Sequence, residues 1–167
     1  MPRIIILAVL FGRLLALEGD FRDVNPNIDM SLFIENAKAA MQVRASSRLS
    51  EQAFIAGSKQ PGVMILDARS KELYDKLHIK GAINLSFSDI SYATLAALLP
   101  DKKQTILIYC NNNFRNAPVA FPSKLAALSL NVPTYVALYS NGYVNVYELG
   151  PLLDIHKTAI EFVGTKE

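Results

Sequence analysis

Two short apolar runs constrain this chain more than any other feature. Val63-Met64-Ile65-Leu66 ends at Asp67, and Thr105-Ile106-Leu107-Ile108-Tyr109 ends at Cys110. A strand with one solvated face alternates polar and apolar residues, whereas a strand covered on both faces reads as an unbroken apolar run. Runs this short suit strands better than helices. Helical signals surround them. Leu32, Phe33, Ala37, Ala40 and Met41 recur at helical spacing through about Val43, with Asp29 placed as a cap. Ser50-Glu51 opens a second helix to Gly57, before a turn at Gln60-Pro61-Gly62. Further helices are expected from Ser70 to about Leu77 and from Ser91 to Leu99, the latter closed by Pro100. Buried strands alternating with helices imply an α/β domain around a mainly parallel sheet. Ligands of such sheets sit beyond the carboxyl ends of the strands, which is where Cys110 falls.

The 167 residues suffice for one domain and a short extension. With 51% hydrophobic and 19% charged residues, the chain reads as globular rather than disordered. A net charge of +2, with no long run of Lys or Arg, gives no electrostatic footprint for nucleic acid or an anionic membrane surface. One cysteine and two histidines, His78 and His156, exclude an internal disulfide and leave too few ligands for a zinc site, so no metal is expected.

At the N-terminus, Pro2-Arg3 precedes an apolar run from Ile4 to Phe11, then Gly12-Arg13 and Leu14 to Leu17. A basic start and a short apolar run fit an export signal, implying a periplasmic or secreted protein, although no clean cleavage site follows. The run is too short for a stable membrane span. The alternative is an apolar segment that is kept, in a cytoplasmic protein. Glu18 to Asp29 is polar, contains Asn25-Pro26, and reads as a linker. The expected organisation is therefore residues 1–20 as signal or apolar segment, 21–41 as an extension with a helix, 42–155 as the domain, and 156–167 as a C-terminal tail.

Cys110 is followed by Asn111-Asn112-Asn113-Phe114-Arg115-Asn116. A thiol is a weak nucleophile near neutral pH, so using it requires a locally positive setting. A tight loop of backbone N–H groups running into a helix N-terminus supplies one. Asparagine tolerates the left-handed backbone such a loop needs, and Arg115 adds a permanent charge that can fork onto an anion.

A buried strand, then Cys110, then Arg115 five positions on resembles the active loop of the rhodanese-like sulfurtransferases. Three further segments share the resemblance. Asp67-Ala68-Arg69 with Glu72 and Tyr74 is similar to the family's Asp-x-Arg strand end and Glu-aromatic pair. Leu77-His78-Ile79-Lys80-Gly81-Ala82-Ile83-Asn84 resembles its Gly-His-Ile-x-Gly-Ala-x-Asn segment, and Gly142 to Leu149 its last strand. The resemblance covers about residues 42 to 155 and implies a three-layer α/β/α fold with a central mainly parallel sheet.

It also implies a mechanism. Cys110 would take sulfane sulfur from a small anionic donor such as thiosulfate, hold it as a persulfide, and pass it to a thiol, to cyanide or to a protein acceptor. The backbone of Asn111, Asn112, Asn113, Phe114 and Arg115, with Asn116 beside them, would form the substrate-binding loop. Arg115 would orient the donor, and Asp67 and Arg69 would support the geometry. No cofactor is implied. The chain departs from the family where Asn111 and Asn113 replace the usual basic residue and mid-loop glycine. It also spends more residues than usual between Cys110 and Gly142. Pro118 is placed to start a short helix that Pro122 would kink or stop, and Val132 to Tyr139 is expected as a helix ending at Asn141-Gly142, with a hairpin across that pair as the alternative.

Two other functions fit parts of the pattern. A catalytically silent rhodanese-like binding module would explain the Asn-rich loop. A cysteine phosphatase would use a similar loop but with one more residue between Cys and Arg than the four present here. His78 is expected to be structural and His156 a solvated surface residue.

Overall fold

Both apolar runs form strands at the centre of one sheet. The computed structural model describes residues 25–165, so the apolar N-terminal run, read above as a signal, lies outside the described residues together with residues 21–24 of the extension. The chain divides into two units, residues 1–30 and 31–167. The described end of the first is a turn in which Ile28 N–H donates to the Asn25 carbonyl at 3.0 Å.

In the second unit, β2 (Met64–Asp67) lies parallel to β5 (Ile106–Tyr109), with Ile65 opposite Leu107 and Asp67 opposite Tyr109. β7 (Val146–Leu149) flanks β5 on the other side, and β1 (Arg48–Leu49) and β4 (Ala82–Asn84) form the edges. The order is β1-β7-β5-β2-β4 and every pairing is parallel. Successive residues of β5 serve opposite faces, as the period of a strand dictates. Ile106 and Ile108 pack with Ala40 of α1 (Met30–Arg44), Leu95 of α4 (Tyr92–Leu98) and Leu138 of α5 (Asn131–Ser140). Leu107 and Tyr109 pack with Phe54 of α2 (Glu51–Ser58), Phe114 and Phe121. Each such aliphatic side chain contributes roughly 1.5–3 kcal/mol by burial, which is why a four-residue strand persists.

The helix starts follow the serines. Ser50 caps α2 through Ala53 N–H at 3.2 Å, and Ser70 caps α3 (Lys71–Lys76) through Leu73 N–H at 3.4 Å. Ser91 and Thr94 form a reciprocal capping box at α4. α5 carries Pro133 in its first turn, where a missing N–H costs nothing. Asn141-Gly142 ends this helix and makes no hairpin. Gly142 adopts φ 82°, and Tyr143 N–H reaches back to the Leu138 carbonyl at 3.1 Å, which is helix-closing geometry.

Two expectations are corrected. No helix begins at Pro118: residues 118–120 form a turn, with Phe121 N–H on the Ala117 carbonyl at 2.7 Å, and only a single 3-10 turn, Ala126–Leu128, lies between Phe121 and α5. Burial of Phe114, Ala120 and Phe121 in one apolar cluster outweighs the local start signal. The second correction concerns the expected tail. Ile160 is buried, and β9 (Phe162–Val163) pairs antiparallel with β3 (His78–Ile79). Glu51 accepts from Thr158 Oγ1 at 2.6 Å and from Ala159 N–H at 2.7 Å.

Candidate functional site

Cys110 follows the last residue of β5, at the carboxyl edge of the sheet. It is 1% exposed, and its Sγ lies 3.2 Å from Ser129 Oγ. A 3-10 turn, Asn111–Asn113, comes next, and the chain then extends as β6 (Phe114–Arg115), parallel to β8 (Leu153–Asp154). The loop therefore runs into a strand, and the helix N-terminus expected behind it is absent. The pairing with β8 and the burial of the Phe114 ring take the residues such a helix would have used.

The three asparagines act through their side chains. Asn113 Oδ1 accepts from Cys110 N–H at 2.9 Å and from Asn131 Nδ2 at 3.1 Å, while its Nδ2 donates to the Leu149 carbonyl at 2.7 Å. One amide thus ties the loop, β7 and the start of α5 together. Asn112 makes a reciprocal pair with the backbone of Lys124, both bonds 2.9 Å. Asn111 is buried, and neither of its amide atoms has a hydrogen-bond partner among the described residues. Asn116 holds φ 66°, the left-handed region asparagine tolerates, and its Nδ2 donates to Asp154 Oδ2 at 3.0 Å.

A cavity of about 320 Å³ opens over the sulfur. Cys110, Asn112, Asn113, Ser129 and Asn131 line it, together with Arg44, Arg48 and Glu148. Glu148 is buried in β7 and accepts from Arg44 Nε at 3.2 Å and Nη2 at 2.9 Å, with Arg48 Nε 3.2 Å from its other oxygen. A buried carboxylate is costly without partners, and here two guanidinium groups supply them.

Of the residues expected at the site, Cys110, Asn112 and Asn113 come together in this cavity. Arg115 does not line it. Its side chain is 60% exposed and faces Asp154 at 4.0 Å. The Asp154 carboxyl is held below its ordinary value, chiefly by the His156 N–H it accepts, with Asn116, Arg115 and Lys157 adding to the effect. Asp67 and Arg69 are wholly buried away from the cavity. Arg69 Nη2 donates to Asp67 Oδ2 at 2.6 Å and to the Leu77 carbonyl at 2.7 Å, and Nη1 donates to the Ala120 carbonyl at 2.7 Å. Tyr109 Oη also donates to Asp67 Oδ2 and accepts from Ile79 N–H at 3.1 Å. Burial, then the Asp67 charge, pushes the Tyr109 phenol well above its ordinary value. This network clamps the residue immediately before Cys110, a structural role. His78 stacks on Tyr74 at 3.6 Å and bonds its carbonyl, while His156 is exposed.

Ser129, Asn131, Arg44, Arg48 and Glu148 escaped the sequence reading. Glu148 carried a signal, since it is the one charge inside the apolar segment Val146-Tyr147-Glu148-Leu149. Nothing local marks Ser129. Among the described residues, no group of His, Cys, Asp or Glu is arranged to hold a metal ion, and no helix is long and apolar enough to cross a membrane.

Comparison with known proteins agrees with this geometry. The rhodanese-like domain model matches residues 50–149. A tRNA sulfurtransferase of Thermoplasma acidophilum is 32% identical over 93 residues, 56% of this chain and 18% of that protein. The thiosulfate sulfurtransferase PspE of Escherichia coli K12 is 37% identical over 46 residues, 28% of this chain and 43% of that protein. The chain thus spans less than half the length of either curated relative. The crystal structure of the BH2092 protein from Bacillus halodurans superposes with a TM-score of 0.52 at 21% identity, covering 79% of this chain and 87% of that one, a likeness of fold.

Proposed function

The chain belongs to the rhodanese-like domain family, and from that premise we propose that it is a sulfurtransferase whose Cys110 carries sulfane sulfur as a persulfide. One observation supports the reading above others: the only thiol in the sequence stands at the carboxyl end of the central strand, hydrogen-bonded to a serine and opening on a cavity with two arginines.

The Cys110 thiolate attacks the outer sulfur of thiosulfate. A bond forms between the two sulfurs, the donor's own S–S bond breaks, and sulfite leaves with the electron pair. Cys110 then holds the transferred sulfur as a persulfide. Ser129 Oγ, 3.2 Å from the sulfur, and the N–H groups of Asn111 and Asn112 would donate to its charge. A thiolate or cyanide attacks the terminal sulfur, leaves as a persulfide or thiocyanate, and restores the Cys110 thiolate. Asp67 and Arg69 position the strand end. The apolar run Ile4–Phe11 supports export of the protein, which mass determination of the mature N-terminus tests.

The deciding experiment incubates the purified protein with thiosulfate and reads intact mass. A 32-dalton adduct that is absent from Cys110→Ser, and thiocyanate formed on adding cyanide, are expected. A second reading, a catalytically silent binding module, draws on the near-complete burial of Cys110 and the loop's lack of a helix behind it. No adduct and no thiocyanate would establish it in place of the first.

A further inference from the structure

Arg44 and Arg48 lie before residue 50, outside the span matched by the family model, yet both line the cavity over Cys110. Arg44 ends α1 and Arg48 opens the edge strand β1. We infer that these two arginines, held by buried Glu148, recognise the substrate's anionic group, so that residues preceding the family-matched span complete the site. The inference rests on the sulfur-carrier reading for its chemistry but on geometry for its residues.

Three observations carry it. First, among the described residues, the charges lining the cavity are two guanidinium groups and one carboxylate, which leaves one positive charge in excess. Neutralising Glu148 needs only one partner. Arg44 already bonds one of its oxygens through both Nε and Nη2, and Nη2 lies 2.9 Å from the other oxygen as well, so this one guanidinium reaches both. Second, Arg48 adds one Nε contact at 3.2 Å and a long contact from Nη2 to the Gly150 carbonyl at 3.4 Å, while its side chain stays 55% exposed. Its remaining N–H groups meet no acceptor among the described residues, so the spare charge stands at the mouth of the cavity. Third, Asn131 is 6% exposed and lines the same wall, where its Oδ1 has no partner among the described residues. The cavity therefore offers a bound molecule a fixed cation for its anionic group and, in this buried acceptor, a partner for an N–H, O–H or S–H elsewhere on the same molecule. Arg115 faces Asp154 instead and adds nothing here.

The ligand chemistry is an oxyanion borne by a sulfur-carrying molecule. A sulfonate of thiosulfate and a carboxylate of an alkyl persulfide both qualify. At about 320 Å³ the cavity reaches the lower end of the range that holds organic ligands, roughly 300–1,000 Å³, and so admits either.

The charge is read directly by alkylating Cys110 in the full chain. Its thiolate displaces iodide from iodoacetate, which is anionic, or from iodoacetamide, which is neutral and similar in size. Intact mass gives the two rates without any need for turnover. We expect the iodoacetate-to-iodoacetamide ratio to fall roughly threefold or more in Arg48→Gln and Arg44→Gln, and to fall in the wild type as salt rises. Arg44→Lys keeps the charge and should keep most of the ratio, which separates lost charge from lost packing. Glu148→Gln should raise it. An unchanged ratio in both glutamine variants, or a Cys110 refractory to both reagents, overturns the inference. In sulfur transfer, KM should rise about tenfold in Arg48→Gln with kcat held within about twofold, the pattern of lost ground-state binding. A rise confined to thiosulfate identifies the sulfonate as the docked group, and one confined to cysteine persulfide identifies the carboxylate. Charge-dependent alkylation in a protein that takes up no sulfur would reject the sulfur-carrier reading and leave the arginine pair standing.

Discussion

The Sγ of Cys110 and the Oγ of Ser129 stand 3.2 Å apart across nineteen residues of sequence. The serine arrives on the segment between Phe121 and α5, which carries Pro122 and a single 3-10 turn, and so belongs to the longer connection that separates Cys110 from Gly142. A hydroxyl in that place can donate to a thiolate or persulfide and has no role in the apolar core.

Removing that donor tests its part. Ser129→Ala is expected to lower kcat for sulfur transfer roughly tenfold or more, with KM little changed, as for loss of one donor to developing charge. Ser129→Thr, which keeps the hydroxyl, should recover much of it. Full activity in the alanine variant would reduce the contact to packing.

Arg69 is expected to be among the most sensitive positions for folding. Its guanidinium and the Asp67 carboxylate are both wholly buried, so Arg69→Leu leaves a charge without its partner. The same change frees the Ala120 and Leu77 carbonyls. Urea unfolding should show a loss of about 3–5 kcal/mol, the usual effect of breaking such a pair from one side. A loss below about 1 kcal/mol would mean that the pair does not anchor the strand end.

Tyr109 sets an alkaline limit. Its phenol is pushed well above the ordinary 10.0 by burial and by Asp67. Between those two values the folded chain keeps a proton that the unfolded chain has lost. This contribution is therefore fully present below about pH 10 and falls as pH rises beyond it, by about 1.4 kcal/mol per pH unit. Tyr109→Phe should cost about 1–3 kcal/mol at neutral pH, by stranding Ile79 N–H and removing one of the donors to Asp67 Oδ2. Its stability should then decline less steeply between about pH 9 and 11 than that of the wild type. Parallel pH profiles in denaturant titrations would rule out this assignment.

Arg115 and Arg48 can be ranked against each other. The Arg115–Asp154 pair is exposed and long at 4.0 Å, so Arg115→Ala should change stability by less than about 1 kcal/mol. Its KM for thiosulfate should rise less than that of Arg48→Gln. The opposite order, measured with folding intact in both, would return the anion-orienting role to the loop arginine.

Much of this protein follows from local chemistry. The unbroken apolar runs before Asp67 and Cys110 can bury both faces only inside a parallel sheet, and Ser50, Ser70 and Ser91 satisfy the first N–H groups of the helices they precede. Asn141-Gly142 closes a helix because the glycine accepts a positive φ and the residues before it continue a helical turn. The place of Cys110 at a strand end is legible for the same reason. What surrounds its sulfur is not. Ser129, Glu148 and the neighbouring Arg44 and Arg48 line the cavity over it from three stretches far apart in the chain, and no spacing rule links those stretches. Pro118 shows the same limit from the other side, since its local helix signal gives way to burial of Phe114 and Phe121. Short-range hydrogen bonding and periodicity act within a few residues and write themselves into the sequence. The charge and polarity around one atom depend on which distant segments pack there, and only the folded chain decides that.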